Sequence, residues 1–136
     1  METAVFSLEN YTFEKILLDL QDIHVGETIS LSFHPTGVYS PRRGVYELCF
    51  LCDASVESKQ TPIVSVLCKA AFKFKDIVSF EEIPSYFFSN SIAILFPYIR
   101  AMVSTVTLQA NIPPIVLPTM NLTSLCQQLQ DNTVVE

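Results

Sequence analysis

The side chains able to do chemistry in this 136-residue chain are few and scattered. Cys49-x-x-Cys52 has the spacing of half a zinc site, but the second ligand pair is missing. Positions three apart on a strand point to opposite faces, so these two thiols would not meet around an ion. With Cys68 and Cys126 they read as small buried hydrophobes. His24 and His34 each sit in a loop-like segment, with no nucleophile motif nearby. Glu81-Glu82 lies just ahead of an apolar stretch, where acids serve as partners of a helix dipole. Three glycines leave little room for a phosphate-cradling loop. The residues therefore predict no metal, no cofactor and no catalysis.

Composition narrows the remaining classes. The hydrophobic fraction is 49% and the charged fraction 16%, against an average of about 25% charged. So much apolar area on one small domain predicts that part of it meets another subunit or a ligand. The length suits one domain, expected over residues 1–130, followed by a flexible polar tail over 131–136. Fourteen acidic against eight basic side chains give a net charge of −6. Arg42-Arg43 and Lys69, Lys73 and Lys75 are the only concentrations of basic charge, which argues against nucleic acid. Met1-Glu2-Thr3 opens without the basic start and apolar run of a secretory signal, so none is expected. The apolar run Ile92 to Ile99 is far short of the ~20 residues that span a bilayer, so no stable membrane insertion is expected. Four cysteines without an export signal predict reduced thiols in the cytoplasm.

The first two-thirds of the chain reads as an antiparallel sheet. Phe6 to Leu20 is a long strand that bends, and Thr28 to Phe33 alternates with Ile29, Leu31 and Phe33 on one face. Pro35, Gly37, Pro41 and Gly44 mark His34 to Gly44 as a loop. Val45 to Ala54 puts Tyr46, Leu48, Phe50 and Cys52 on one face. Pro62 to Phe74 turns Val64, Val66, Cys68, Ala70, Phe72 and Phe74 inward. Short polar links favour antiparallel neighbours.

The period then changes. From Ile83 to Gln130 the only charged residue is Arg100. Ile92, Leu95, Ile99, Met102 and Val106 recur at helix spacing, and Ala93, Phe96 and Val103 make the other side apolar too. Such a helix is buried on more than one side, and the first set is assigned to an oligomer interface. Pro97 should kink or break it. Ile112 to Met120 carries Pro113, Pro114 and Pro118 and must be extended. Asn121 is a candidate N-cap for a short helix through Leu122, Leu125, Cys126 and Leu129. The fold class is α+β: four antiparallel strands, then a long kinked helix and a short C-terminal helix on one face. The Pro-rich connector and its short helix could form an adaptable apolar groove for extended peptides.

Ile94-Leu95-Phe96-Pro97-Tyr98-Ile99-Arg100, following the strand with Val45-Tyr46-Glu47, resembles the SecB family of protein-export chaperones. The similarity runs from Phe6 to Gln130, through Asn111-Ile112-Pro113 and Met120-Asn121-Leu122 to Leu125. The resemblance implies a homotetramer, a dimer of dimers, acting as an ATP-independent holdase on unfolded polypeptides and preproteins. Ile29, Leu31 and Phe33 match groove-lining positions, as do Ile112, Ile115, Leu117, Met120, Leu122 and Leu125. The family engages the motor SecA through an acidic sheet face. Asp19 and Leu67 are compatible with that face, whereas Lys15 and Lys69 are basic where acids are expected. Reversed charge in a complementary patch opposes the original partner. A SecB-like chaperone of a toxin–antitoxin pair is thus an alternative to an export role. From other classes, a small hot-dog-type thioesterase would need an acid near the helix, and a structural interaction module would bind no client.

Overall fold

A computed structural model describes residues 5–76, 78–118 and 121–136. Strict alternation governs its central strands. In β3 (Val45–Ser55) and β4 (Val64–Phe74) every second side chain is buried: Tyr46, Leu48, Phe50, Cys52 and Ala54 on one, Val64 through Phe74 on the other. The two strands pair antiparallel, Phe50 opposite Cys68 and Tyr46 opposite Phe72, so their apolar sets share one face. β1 (Phe6–Leu18) adds antiparallel to β4 rather than to its sequence neighbour. Register shifts between Leu8 and Asn10 and between Phe13 and Lys15 supply its expected bend. β2 (Ser30–Ser40) flanks β3 on the other side.

Two expectations need correction. The segment His34 to Gly44 was expected as a loop, yet β2 continues through Pro35 and Gly37 to Ser40. Gly37 is needed there because a Cβ would land on the Tyr46 hydroxyl and ring. Pro35 shares the backbone direction of Gly37, whose N–H points away from β3 toward Asn132, so its missing donor faces the sheet edge, where proline is tolerated. The expected polar tail over 131–136 contains a fifth strand, β5 (Thr133–Val135), parallel to β2 over Gly37–Tyr39. The sheet is therefore mixed, with five strands in the order β1-β4-β3-β2-β5.

One helix covers the apolar face. After a single 3-10 turn (Phe80–Glu82), in which Ser79 donates from its hydroxyl to Glu82 at 2.8 Å, α1 runs from Tyr86 to Gln109. It continues unbroken through Pro97, whose side chain is exposed. Its buried residues Phe87, Phe88, Ile92, Leu95, Phe96, Ile99 and Val103 join those of the sheet in one core. By length and composition α1 could cross a membrane, but these seven side chains belong to the core. Phe87 stands at the centre of an aromatic cluster, 4.8 Å from the rings of Phe6 and Tyr46 and 4.9 Å from Phe74. α2 (Thr123–Asp131) buries Leu125 and Leu129 against the same core. Asn121 supplies the cap-like acceptor, taking the Thr123 N–H at 3.0 Å, although the helix begins one residue later than expected for an N-cap there.

The interface assigned to α1 is also corrected. Ile92, Leu95 and Ile99 are 0% exposed inside the single chain, so they hold α1 to its own sheet and are closed to another subunit. Met102 is half-buried against the core, and Val106 is half-buried. The row that α1 presents outward is Ile94, Tyr98 and Leu108. Periodicity finds the first row, but only packing says that it meets the sheet, with Phe96 and Val103 of the other predicted side buried beside it.

Candidate functional site: an apolar cleft at the edge of the sheet

The cleft is built where α1 ends. Asn111 takes the left-handed conformation (φ 63), which asparagine tolerates at a helix C-terminus, and the Ile112 N–H closes back on the Thr107 carbonyl. Pro113 and Pro114 forbid further helix, so the chain leaves extended. Two α1 side chains then fix its course. The Thr107 hydroxyl, fully buried, accepts the Ile115 N–H at 2.9 Å and donates to the Val103 carbonyl at 2.9 Å. Ser104 donates to the Ile115 carbonyl at 2.9 Å. Both backbone groups of Ile115 are thus held by the helix.

This pinned connector stands opposite the start of β2. Ile29, Leu31, Pro113, Pro114, Ile115 and Val116 line an open cleft of about 340 Å³ between them. Extended backbone alternates its side chains. Ile115 and Leu117 accordingly turn into the core while Val116, 57% exposed, turns outward. Two residues past Leu31, Phe33 of β2 packs with its ring 5.9 Å from that of Phe96 and 6.0 Å from that of Phe50. Phe96 belongs to the Leu95-to-Tyr98 run, whose Tyr98 stacks on Tyr11 of β1 at 4.2 Å. That run frames the cleft and does not line it.

Of the expected groove residues, Ile29, Leu31 and Ile115 come together. Phe33, Ile112 and Leu122 are half-buried and lie outside the cleft lining. Leu117 is 0% exposed and Leu125 is buried, so both are core residues and are withdrawn as cleft-lining positions. Met120 lies outside the described residues. Pro113, Pro114 and Val116 were missed. Strict alternation through an extended segment was the signal that could have found Val116.

The opposite sheet face carries mixed charge. Lys15 and Leu67 are cross-strand partners, and Lys69 lies two residues further along β4, paired with Glu47 at 3.6 Å. Asp19 sits just past β1. The Gln21 N–H donates to its carboxylate at 3.0 Å and the Lys59 ammonium lies 3.4 Å away, which together hold its pKa below the ordinary carboxylate value. Its charge is therefore already partnered. Cys49 and Cys52 lie on opposite faces of β3, and burial pushes the Cys52 thiol up to about 12 and the Cys68 thiol up to about 11. Thiols so protonated are poor nucleophiles. Among the described residues no three His, Cys, Asp or Glu side chains group to hold a metal.

A mixed sheet covered by one long helix, with an open apolar cleft between a strand edge and a pinned connector, is the architecture of a binding module. Residues 6–133 match the model of the family described as SecB, preprotein translocase subunit SecB; the chain belongs to the SecB family, whose members are non-enzymatic chaperones. The fold is similar to that of the SecB-like chaperone Rv1957 of Mycobacterium tuberculosis, solved with a ChAD peptide from the antitoxin HigA1. Identity to it is 18%, coverage 85% of this chain and 88% of that one, and the TM-score 0.69. An uncharacterized protein of Methanocaldococcus jannaschii, MJ0357, is 50% identical over 42 residues, which span 31% of this chain and 27% of the relative. A protein of unknown function from Streptococcus agalactiae is 12% identical over 84% of this chain and 97% of its own, at a TM-score of 0.44. The hot-dog alternative falls with this membership.

Replacing Thr107 tests how the cleft wall is held. Thr107→Val keeps the shape but leaves the Ile115 N–H without its acceptor, and a buried amide left unpaired costs about 1–3 kcal/mol. The expected result is that loss in urea denaturation. Faster amide exchange at Ile115 should accompany it, while β3 stays protected.

Proposed function

We propose that the chain is a cytoplasmic, ATP-independent holdase that binds unfolded polypeptides in the cleft between β2 and the connector. The observation that carries this reading is the cleft itself: Ile29, half-buried Leu31 and Val116 give it apolar walls, and Ile29 and Val116 stand open to solvent. Two of them, Ile29 and Leu31, lie at or beside the start of the β2 edge. The ladder to β5 uses the Gly37 N–H and the Tyr39 carbonyl, so the same parity turns the backbone of Leu31 and Phe33 toward that edge. Over those residues β2 pairs only with β3 among the described residues. An extended segment entering here would find apolar contacts for its side chains and a ladder for its backbone, a combination that is indifferent to sequence. Burial of client apolar surface, at about 25 cal/mol per Å² removed from water, would supply the affinity. Absence of a glycine-rich phosphate loop from the sequence supports independence from nucleotide.

The outward row Ile94, Tyr98 and Leu108 on α1, with Tyr11 and Ile16 on β1, is the surface we assign to assembly into a dimer of dimers. Four copies would place several clefts on one particle and add avidity. An export role would need SecA to dock on a sheet face that here carries Lys15 and Lys69. The charge reversal favours instead a partnership like that of the mycobacterial relative, which was solved in complex with an antitoxin peptide.

The test is suppression of aggregation. A chemically denatured protein diluted into buffer without nucleotide should stay soluble when this chain is present in stoichiometric amounts. The chain itself should sediment with the mass of four copies. Aggregation at the same rate with and without it would sink the holdase reading. An antitoxin-type peptide and SecA, titrated separately, decide between the two cellular roles.

A further inference from the structure

The edge of β2 does not end at the cleft. Beyond Phe33 comes Pro35, which has no N–H to offer, and beyond it the stretch Gly37–Tyr39, where β5 is seated. β5 is weakly held for a strand in that place. It pairs over three residues only, and Val134 and Val135 are 64% and 47% exposed. Its anchor is Thr133, whose hydroxyl donates to the Leu129 carbonyl at 2.8 Å and lies 2.6 Å from the Tyr46 hydroxyl. At the far end Arg43 meets Glu136 at 3.6 Å, with both side chains about 60% exposed (60% and 61%), so solvent screens the pair. A strand that buries so little apolar surface opens locally long before the fold does.

β5 also shows what this edge accepts: an extended, β-branched segment lying along β2. We propose that β5 is a displaceable occupant, and that an extended client segment rich in β-branched residues replaces it on Gly37–Tyr39. The binding surface would then lengthen from the cleft along the whole outer edge of β2. This inference rests on the client-binding reading above. Pro35 sets the boundary between the two parts, because a client crossing it loses one ladder donor there. Segments that fit the cleft alone would leave β5 in place, and longer ones would release it.

Val134→Pro tests the idea. The bonds from the Gly37 N–H to the Asn132 carbonyl and from the Glu136 N–H to the Tyr39 carbonyl bracket Val134, so its own N–H faces β2 and proline removes it. A labelled unfolded polypeptide should bind V134P roughly 3–10-fold more tightly than the unaltered chain, since the competing strand is gone. In the unaltered chain, saturating client should speed amide exchange at Glu136 while Tyr39 stays protected. Equal affinity of both proteins, or Glu136 protection that persists at saturation, would overturn the displacement while leaving the holdase reading intact. Failure of both proteins to bind would remove the two readings together. A gain in particle mass by V134P without tighter client binding would mean that the edge recruits another copy, and would also overturn it.

Discussion

Phe87→Ala is expected to cost about 3–5 kcal/mol of folding stability, the range for deleting a fully buried aromatic side chain. Phe87 is 0% exposed and enters the core from the first turn of α1. Its ring lies 4.8 Å from Phe6 at 83°, 4.8 Å from Tyr46 at 69° and 5.7 Å from Phe72 at 89°, three edge-to-face contacts on strands β1, β3 and β4. Edge-to-face pairs of this kind contribute about 0.5–1.5 kcal/mol each beyond the area they bury. Alanine would leave a cavity that the five aromatic neighbours Phe6, Tyr46, Phe72, Phe74 and Phe88, held in strands β1, β3 and β4 and in α1, cannot close by small shifts. Against a typical total stability of about 5–15 kcal/mol, this loss is a large share. The measurement is urea unfolding at fixed protomer concentration, because any assembly couples stability to concentration. Tyr86→Ala, next to it but 47% exposed, is the control and should change stability by less than about 1 kcal/mol. A loss for Phe87→Ala as small as the control's would mean that the aromatic cluster is not what fastens α1 to the sheet.

What the sequence made legible follows the range of the forces involved. β3 and β4 were readable because each is buried on one face, and a period of two survives any tertiary arrangement. α1 was readable as a helix from local spacing, and the Leu95-to-Tyr98 run pointed to the family through its resemblance to SecB. Besides β5, three things were not readable. The placement of β1 beside β4 depends on a long-range pairing with no local signature. The passage of β2 through Pro35 and Gly37 runs against turn propensity. It is decided by the Tyr46 ring, which needs the space above residue 37, and by an edge position that asks no N–H of proline. The assignment of Ile92, Leu95 and Ile99 to a subunit interface failed because an apolar row does not say which apolar surface it meets. The cleft was half legible for a related reason. Ile29 and Leu31 declared themselves by alternation. The connector's facing depended on Thr107 and Ser104 gripping Ile115, two hydroxyls on a helix face that no pattern singles out.

The second large effect concerns the cleft. Ile29→Asp combined with Val116→Asp is expected to weaken binding of an unfolded polypeptide by roughly 10–100-fold, about 1.4–2.8 kcal/mol. The two side chains come from opposite walls, β2's approach and the connector, and are 42% and 57% exposed. Removing them should therefore cost the fold little, so a binding defect can be separated from unfolding by far-UV circular dichroism and particle mass. Burying a Val or Ile side chain fully is worth about 1.5–3 kcal/mol, and each wall residue is already partly covered, so each contributes a fraction of that. The aspartates add a second penalty, because a client's apolar side chain would have to desolvate a carboxylate. Lys69→Ala on the opposite sheet face is the matched control. It breaks only the exposed pair with Glu47 at 3.6 Å and should leave client affinity unchanged. The contrast between faces carries the inference: a defect in both variants would point to assembly, and a defect in neither would place the client elsewhere. Loss confined to the Ile29 and Val116 variant would locate the working surface at the edge of β2, framed by the helix that carries the Leu95-to-Tyr98 run.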